Sequence, residues 1–167
     1  ELALETRGLK KSFGGAMVIC DLSISVERGE ALGIVGPNGA GKTTWFNLIT
    51  GVMRADAGRV IFEGKDITNL SRHDRGRMGL GRTFQIPRPF AGMTVFENVL
   101  VGATRGRGMG ERASYARCVD ILEWSGLLKK ANVAAGSLNL LDRKRLELGA
   151  ASDRDVLALQ TQVEQTR

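Results

Sequence analysis

The chain has 167 residues, 43% of them hydrophobic, which suits one domain with a sizeable core and a small subdomain. Lys and Arg number 24 against 18 Asp and Glu; this net charge of +6 suits an anionic ligand, whereas the dispersed cations and core-patterned aromatics argue against nucleic acid as a partner. Cys20 and Cys118 lie too far apart for a metal or redox motif, so both are expected as buried small hydrophobes in a reduced setting, and no run is long enough to span a membrane.

Glu1 opens the chain in place of Met, as in a processed or trimmed product, with no leader pattern after it. Leu2 to Thr6 and Met17 to Val26 alternate apolar and polar residues and predict two half-buried strands. Between them, Lys10-Lys11-Ser12-Phe13-Gly14-Gly15 places an aromatic beside two lysines and two glycines. Phe13 either stacks on a base or folds back onto the core from a hairpin tip. The turn residues Glu27 to Glu30 lead into Ala31-Leu32-Gly33-Ile34-Val35, an apolar run of the kind that a covered parallel strand shows.

Gly36-Pro37-Asn38-Gly39-Ala40-Gly41-Lys42-Thr43-Thr44 follows, and fits the phosphate-loop pattern. Glycines let the backbone curl so that successive N–H groups and a helix N-terminus face an anion. Lys42 then supplies a point charge to the β- and γ-phosphates, the Thr43 hydroxyl is placed for Mg²⁺, and Thr44 is a second hydroxyl donor. A helix is predicted from Gly41 to Thr50, with Trp45, Leu48 and Ile49 on one face and Gly51 as its C′ residue.

Downstream, Arg59 to Glu63 reads as a strand, and His73 lies in a polar stretch, Ser71 to Arg77, as a solvated loop residue. The loop Ile86-Pro87-Arg88-Pro89-Phe90 is stiffened by prolines; Phe90 either offers a docking surface to a partner helix or tucks inward. After Thr94 the pattern turns helical, with Val95, Val99 and Leu100 on one face, and Gly102 to Gly110 reads as a mobile loop. Ala113 to Trp124 predicts another helix that buries Cys118, Ile121 and Leu122 and ends before Gly126. Arg143-Lys144-Arg145 reads as a solvated helix face.

Together these motifs resemble the ATP-binding subunit of an ABC transporter. Phe13 matches the family's adenine-stacking aromatic, Gly36 to Thr44 its Walker A loop, and Gly81-Arg82-Thr83-Phe84-Gln85 the strand entering its Q-loop. Phe13-Gly14-Gly15, Phe46 to Gly51, Arg82 to Gln85 and Met93 to Val99 are similar to importers of branched-chain amino acids. The likeness runs from about Leu2 to Leu148.

The resemblance implies an α/β fold: a P-loop NTPase (RecA-like) core, an antiparallel β-subdomain and a helical subdomain. Within one domain it divides the chain into 1–85 (β-subdomain and P-loop core), 86–149 (Q-loop and helical subdomain) and 150–167, an unassigned tail. ATP and Mg²⁺ are the implied cofactors. Phe13, Val18, Gly36 to Thr44 and Gln85 are the implied nucleotide contacts, with Thr43 and Gln85 at the metal. A neutral amide such as Gln85 can coordinate a metal, or orient water, and withdraw without leaving an unpaired charge. The implied partners are a second ATP-binding subunit and membrane permease subunits, at the cytoplasmic face of the membrane.

Two departures stand out. Leu138-Asn139-Leu140-Leu141-Asp142 occupies the place of the family signature, with Asn139 for its serine and Leu140 and Leu141 for its glycines. After Leu148, the family's apolar strand ending in Asp-Glu and its histidine switch find no counterpart in Gly149 to Arg167, so the chain reads as truncated and no catalytic residue is identified in it. Two readings follow: the ATP-hydrolysing motor of an importer, or a nucleotide-binding module without turnover.

Overall fold

A computed structural model describes residues 1–83, 86–107 and 110–152. They fall into two compact units, 1–75 and 76–152.

The first unit is built on an antiparallel sheet in the order β2-β1-β3-β4, formed by β1 (Leu2–Phe13), β2 (Ala16–Glu27), β3 (Ala57–Phe62) and β4 (Lys65–Asp66). Register follows the apolar alternation: Leu4 lies opposite Val26 and Phe62, and Thr6 opposite Ile24 and Val60. Leu4, Thr6, Val26, Val60 and Phe62 are all buried. Thr6 is tolerated there because its hydroxyl accepts the Ile24 N–H at 3.0 Å. Cys20 is exposed, contrary to the expectation of burial: its neighbour Ile19 takes the inward position and the period of two turns Cys20 outward.

The segment 31–35 forms no strand. A parallel strand needs neighbours to pair with and layers to cover it. Every described ladder is antiparallel and leaves this run unpaired, with Val35 91% exposed.

Helix α1 (Lys42–Ile49) buries Trp45, Phe46, Leu48 and Ile49. Gly51 follows its end in left-handed backbone, φ 72°. Against that end lies α2 (Arg72–Arg77), where a loop was expected; His73 is exposed on it, and Arg75 is buried. The Arg75 guanidinium donates to the carbonyls of Leu48 (2.7 Å), Ile49 (2.6 Å), Thr68 (2.7 Å) and Leu70 (3.1 Å). It thereby satisfies carbonyls that a helix C-terminus otherwise leaves open. A Cβ on Gly51 would sit 3.0 Å from Arg75 Nε, so the same glycine admits the arginine.

The second unit packs α3 (Val95–Arg107), α4 (Glu111–Trp124) and α5 (Leu140–Ser152), with 3₁₀ turns at Leu128–Lys130 and Ala135–Ser137. Val95, Val99, Cys118, Ile121, Leu122, Leu127 and Leu146 are among its core residues. Cys118 is buried as expected. The glycine-rich run from Gly102 does not begin a loop: α3 continues to Arg107. Gly102 is a packing residue, because a Cβ there would lie 3.0 Å from the Ala150 carbonyl oxygen of α5.

Candidate functional site

The loop Gly36 to Gly41 curls on itself before α1. The Ala40 N–H donates to the Pro37 carbonyl at 3.2 Å, and the Trp45 N–H makes the first helical bond, to Gly41, at 2.8 Å. Gly41 has φ 86°, and a Cβ there would lie 3.0 Å from the Val18 carbonyl oxygen and 3.4 Å from Ile19 Cγ1. Left-handed backbone and close approach to β2 both require glycine, and together they bring Val18 beside the loop. The Lys42 ammonium turns into the loop, donating to the Gly36 carbonyl and, at 2.8 Å, to that of Pro37. Thr43 is exposed and Thr44 half-buried on the first turn of α1, while Asn38, Gly39 and Ala40 are exposed on the loop.

The electrostatics of this helix start differ from those of the others. No side chain caps α1, and its first turn has no acidic residue. The other described α-helices each carry one there: Asp74, Glu97, Glu111 and Asp142. The positive end of the α1 dipole is therefore not neutralised from within.

Phe13 stands at the end of β1, apart from the loop in sequence, and is 44% exposed, so the ring is not folded back onto the core. The Lys11 ammonium lies 5.5 Å from its ring centroid. Asp56 holds that ammonium at 2.6 Å and also accepts the Ser12 N–H at 2.7 Å and hydroxyl at 3.0 Å. Lys11, then the Ser12 N–H and hydroxyl, hold the Asp56 carboxyl down at about 2. Gln85 lies outside the described residues.

In the second unit, Phe90 is 57% exposed and so does not tuck inward. Its backbone is gripped by buried Asn98, which accepts the Phe90 N–H at 2.8 Å and donates to the carbonyls of Phe90 (3.2 Å) and Thr94 (2.8 Å). Thr94 and Glu97 form a reciprocal capping box at the start of α3, the Glu97 carboxylate accepting the Thr94 N–H at 2.7 Å and Thr94 Oγ1 accepting the Glu97 N–H at 3.2 Å. The Thr94 N–H and hydroxyl lower the Glu97 carboxyl below its ordinary range.

The signature-like stretch begins α5. Asn139 Oδ1 accepts the Asp142 N–H at 2.8 Å and caps the helix. Asp142 is buried and paired with Lys130, which lowers its carboxyl. Leu140 and Leu141 are 63% and 59% exposed. Of the expected solvated face, Arg143 instead folds back, donating to the carbonyls of Leu138 at 2.9 Å and Gly136 at 2.7 Å.

Arg75, Asp56 and Asn98 were not singled out from sequence. A lone buried arginine in a polar stretch, and polar residues whose partners are backbone groups far along the chain, give no local periodic signal.

A phosphate loop feeding an uncapped helix beside an antiparallel sheet, with a separate helical unit, defines a nucleotide-binding domain. The chain belongs to the ABC transporter family, whose pattern matches residues 19–157. It is 49% identical over 109 residues to the probable branched-chain amino acid transport ATP-binding protein LivG of Archaeoglobus fulgidus, covering 65% of this chain and 41% of that one. It is 35% identical to the branched-chain amino acid transport ATP-binding protein BraF of Pseudomonas aeruginosa, covering 87% and 62%, and 37% identical to the Nod factor export ATP-binding protein I of Burkholderia lata, covering 93% and 51%. The chain thus spans less than two thirds of the length of these relatives. The crystal structure of a nucleotide-free ATP-binding cassette from an ABC transporter superposes with a TM-score of 0.79 at 35% identity, over 95% of this chain and 68% of that one. Among the described residues no helix is long and apolar enough to cross a membrane.

Proposed function

We propose that this chain binds Mg·ATP and forms part of the ATP-hydrolysing subunit that drives an ABC importer. The observation that carries this reading is α1: a glycine loop delivers an uncapped, acid-free helix start, with Lys42 turned toward the same loop. An incoming triphosphate would replace the Gly36 and Pro37 carbonyls as partners of the Lys42 ammonium, while the loop N–H groups hold the phosphate oxygens. Mg²⁺, when bound, neutralises phosphate charge; Thr43 and Gln85 are the residues proposed to hold it, and the exposed hydroxyl of Thr43 is an oxygen donor suited to a hard cation. Phe13 stacks on the base, with Val18 lining the same side.

The similarity to LivG and BraF supports a branched-chain amino acid or similar small polar solute as cargo. The Nod factor export relative is the competing precedent. Phe90, exposed on a backbone fixed by Asn98, supports docking of a permease helix at the cytoplasmic face. A second copy or a related subunit completes the site.

One observation favours the alternative, binding without turnover. The α5 N-terminus is capped by Asn139 and flanked by exposed leucines, so it is poorly placed to receive a partner's phosphate. The test of the common element is Mg·ATP titration of wild type and Lys42→Ala by calorimetry. Most affinity should be lost in a variant whose circular dichroism is unchanged; undiminished binding would remove the phosphate-loop assignment.

A further inference from the structure

This inference rests on the reading that Phe13 stacks on the nucleotide base. Phe13 ends β1 just before the turn Gly14-Gly15, where it pairs with Ala16 of β2 on one edge and needs a partner on the other to hold the strand end in place. Asp56, at the far end of β1's other ladder, supplies it. Its N–H donates to the Lys10 carbonyl at 2.9 Å, and its carboxylate takes the Lys11 ammonium, the Ser12 N–H and the Ser12 hydroxyl. Three consecutive residues before Phe13 are thus bound by one. Residues two apart on a strand share a face, so Lys11 lies beside the Phe13 ring. The Lys11 side chain is only 15% exposed, and its ammonium is at a distance where a cation is drawn to a ring face.

We infer that Asp56 is a positioning residue for base recognition: through Lys11 and Ser12 it fixes the Phe13 ring in the orientation that receives a purine. Asp56 touches no phosphate-loop residue in the described contacts, so its effect reaches the base and leaves the triphosphate alone.

Calorimetric titration of the 167-residue chain with Mg·ATP and with Mg·tripolyphosphate separates the two ligand parts. Asp56→Asn should weaken ATP about two- to fivefold, the range of an exposed cation–π contact, and leave tripolyphosphate unchanged. Phe13→Ala should weaken ATP more, about 5- to 150-fold by the range for base stacking, again sparing tripolyphosphate. In the Phe13→Ala background Asp56→Asn should add nothing, because it acts through the ring. Lys11→Met, which keeps the Asp56–Ser12 contacts, should reproduce the ATP-selective loss. Equal loss for both ligands, or an Asp56 effect that persists without the ring, would overturn the inference and leave a merely structural role. If Phe13→Ala itself leaves ATP affinity unchanged, the stacking reading falls first and takes the inference with it.

Discussion

At the scale of single residues, the strongest organising groups are those that reach distant backbone. Arg75 satisfies four carbonyls around the end of α1. Arg75→Ala leaves buried acceptors without donors and should cost at least about 2–3 kcal/mol of unfolding free energy. Arg75→Lys should recover little, since one ammonium cannot span the fork. A denaturation midpoint within error of wild type for Arg75→Ala would refute that role. Asp56 sets a second, pH-dependent contribution. Its carboxyl falls from an ordinary 3.8 to about 2 in the folded chain, so its stabilisation is fully present above 3.8 and is lost as pH falls toward 2. The stability difference between wild type and Asp56→Asn, measured by thermal unfolding across that range, should therefore shrink as acid is added; a difference that is flat with pH would contradict the ion pair. Asp56 and Arg75 escaped the sequence reading for a shared reason. Each is defined by partners reached through the fold, whereas Lys42 and Phe13 announce themselves within a few neighbouring residues.

Elements were legible where their signal is periodic and local. Both hairpin strands, β3, α1 and α4 lie where alternation or helical spacing predicts them. The Ala31 to Val35 run shows the limit: its composition suits a covered strand, but pairing and cover come from elsewhere in a chain, and the described residues supply neither. Gly102 misleads in the opposite sense, since its value is closeness to Ala150 and not freedom of the backbone. Helix α5 gives a clean test of element stability. Asn139→Ala removes the side-chain cap and should lower thermal stability by about 1 kcal/mol, whereas Asn139→Ser, which also accepts from the third helical N–H, should be nearly neutral. Equal destabilisation by both would mean that the Asn139 contact is not acting as a cap.

For the molecule as a whole, holding a triphosphate and cleaving it make different demands. Binding needs charge neutralisation and a backbone cradle, and the loop with Lys42 and the α1 N-terminus offers both. Phosphoryl transfer needs in addition an oriented water and groups that stabilise charge as it develops. The α5 N-terminus, for its part, is already capped by the Asn139 side chain. The chain is therefore predicted to bind Mg·ATP without a partner, with turnover that rises when a second subunit supplies further groups to the phosphate. Steady-state phosphate release, measured across protein concentrations with and without a full-length relative, reads this directly. Robust turnover by the chain alone, abolished by Lys42→Ala, would place the catalytic groups within these residues and reverse the assignment.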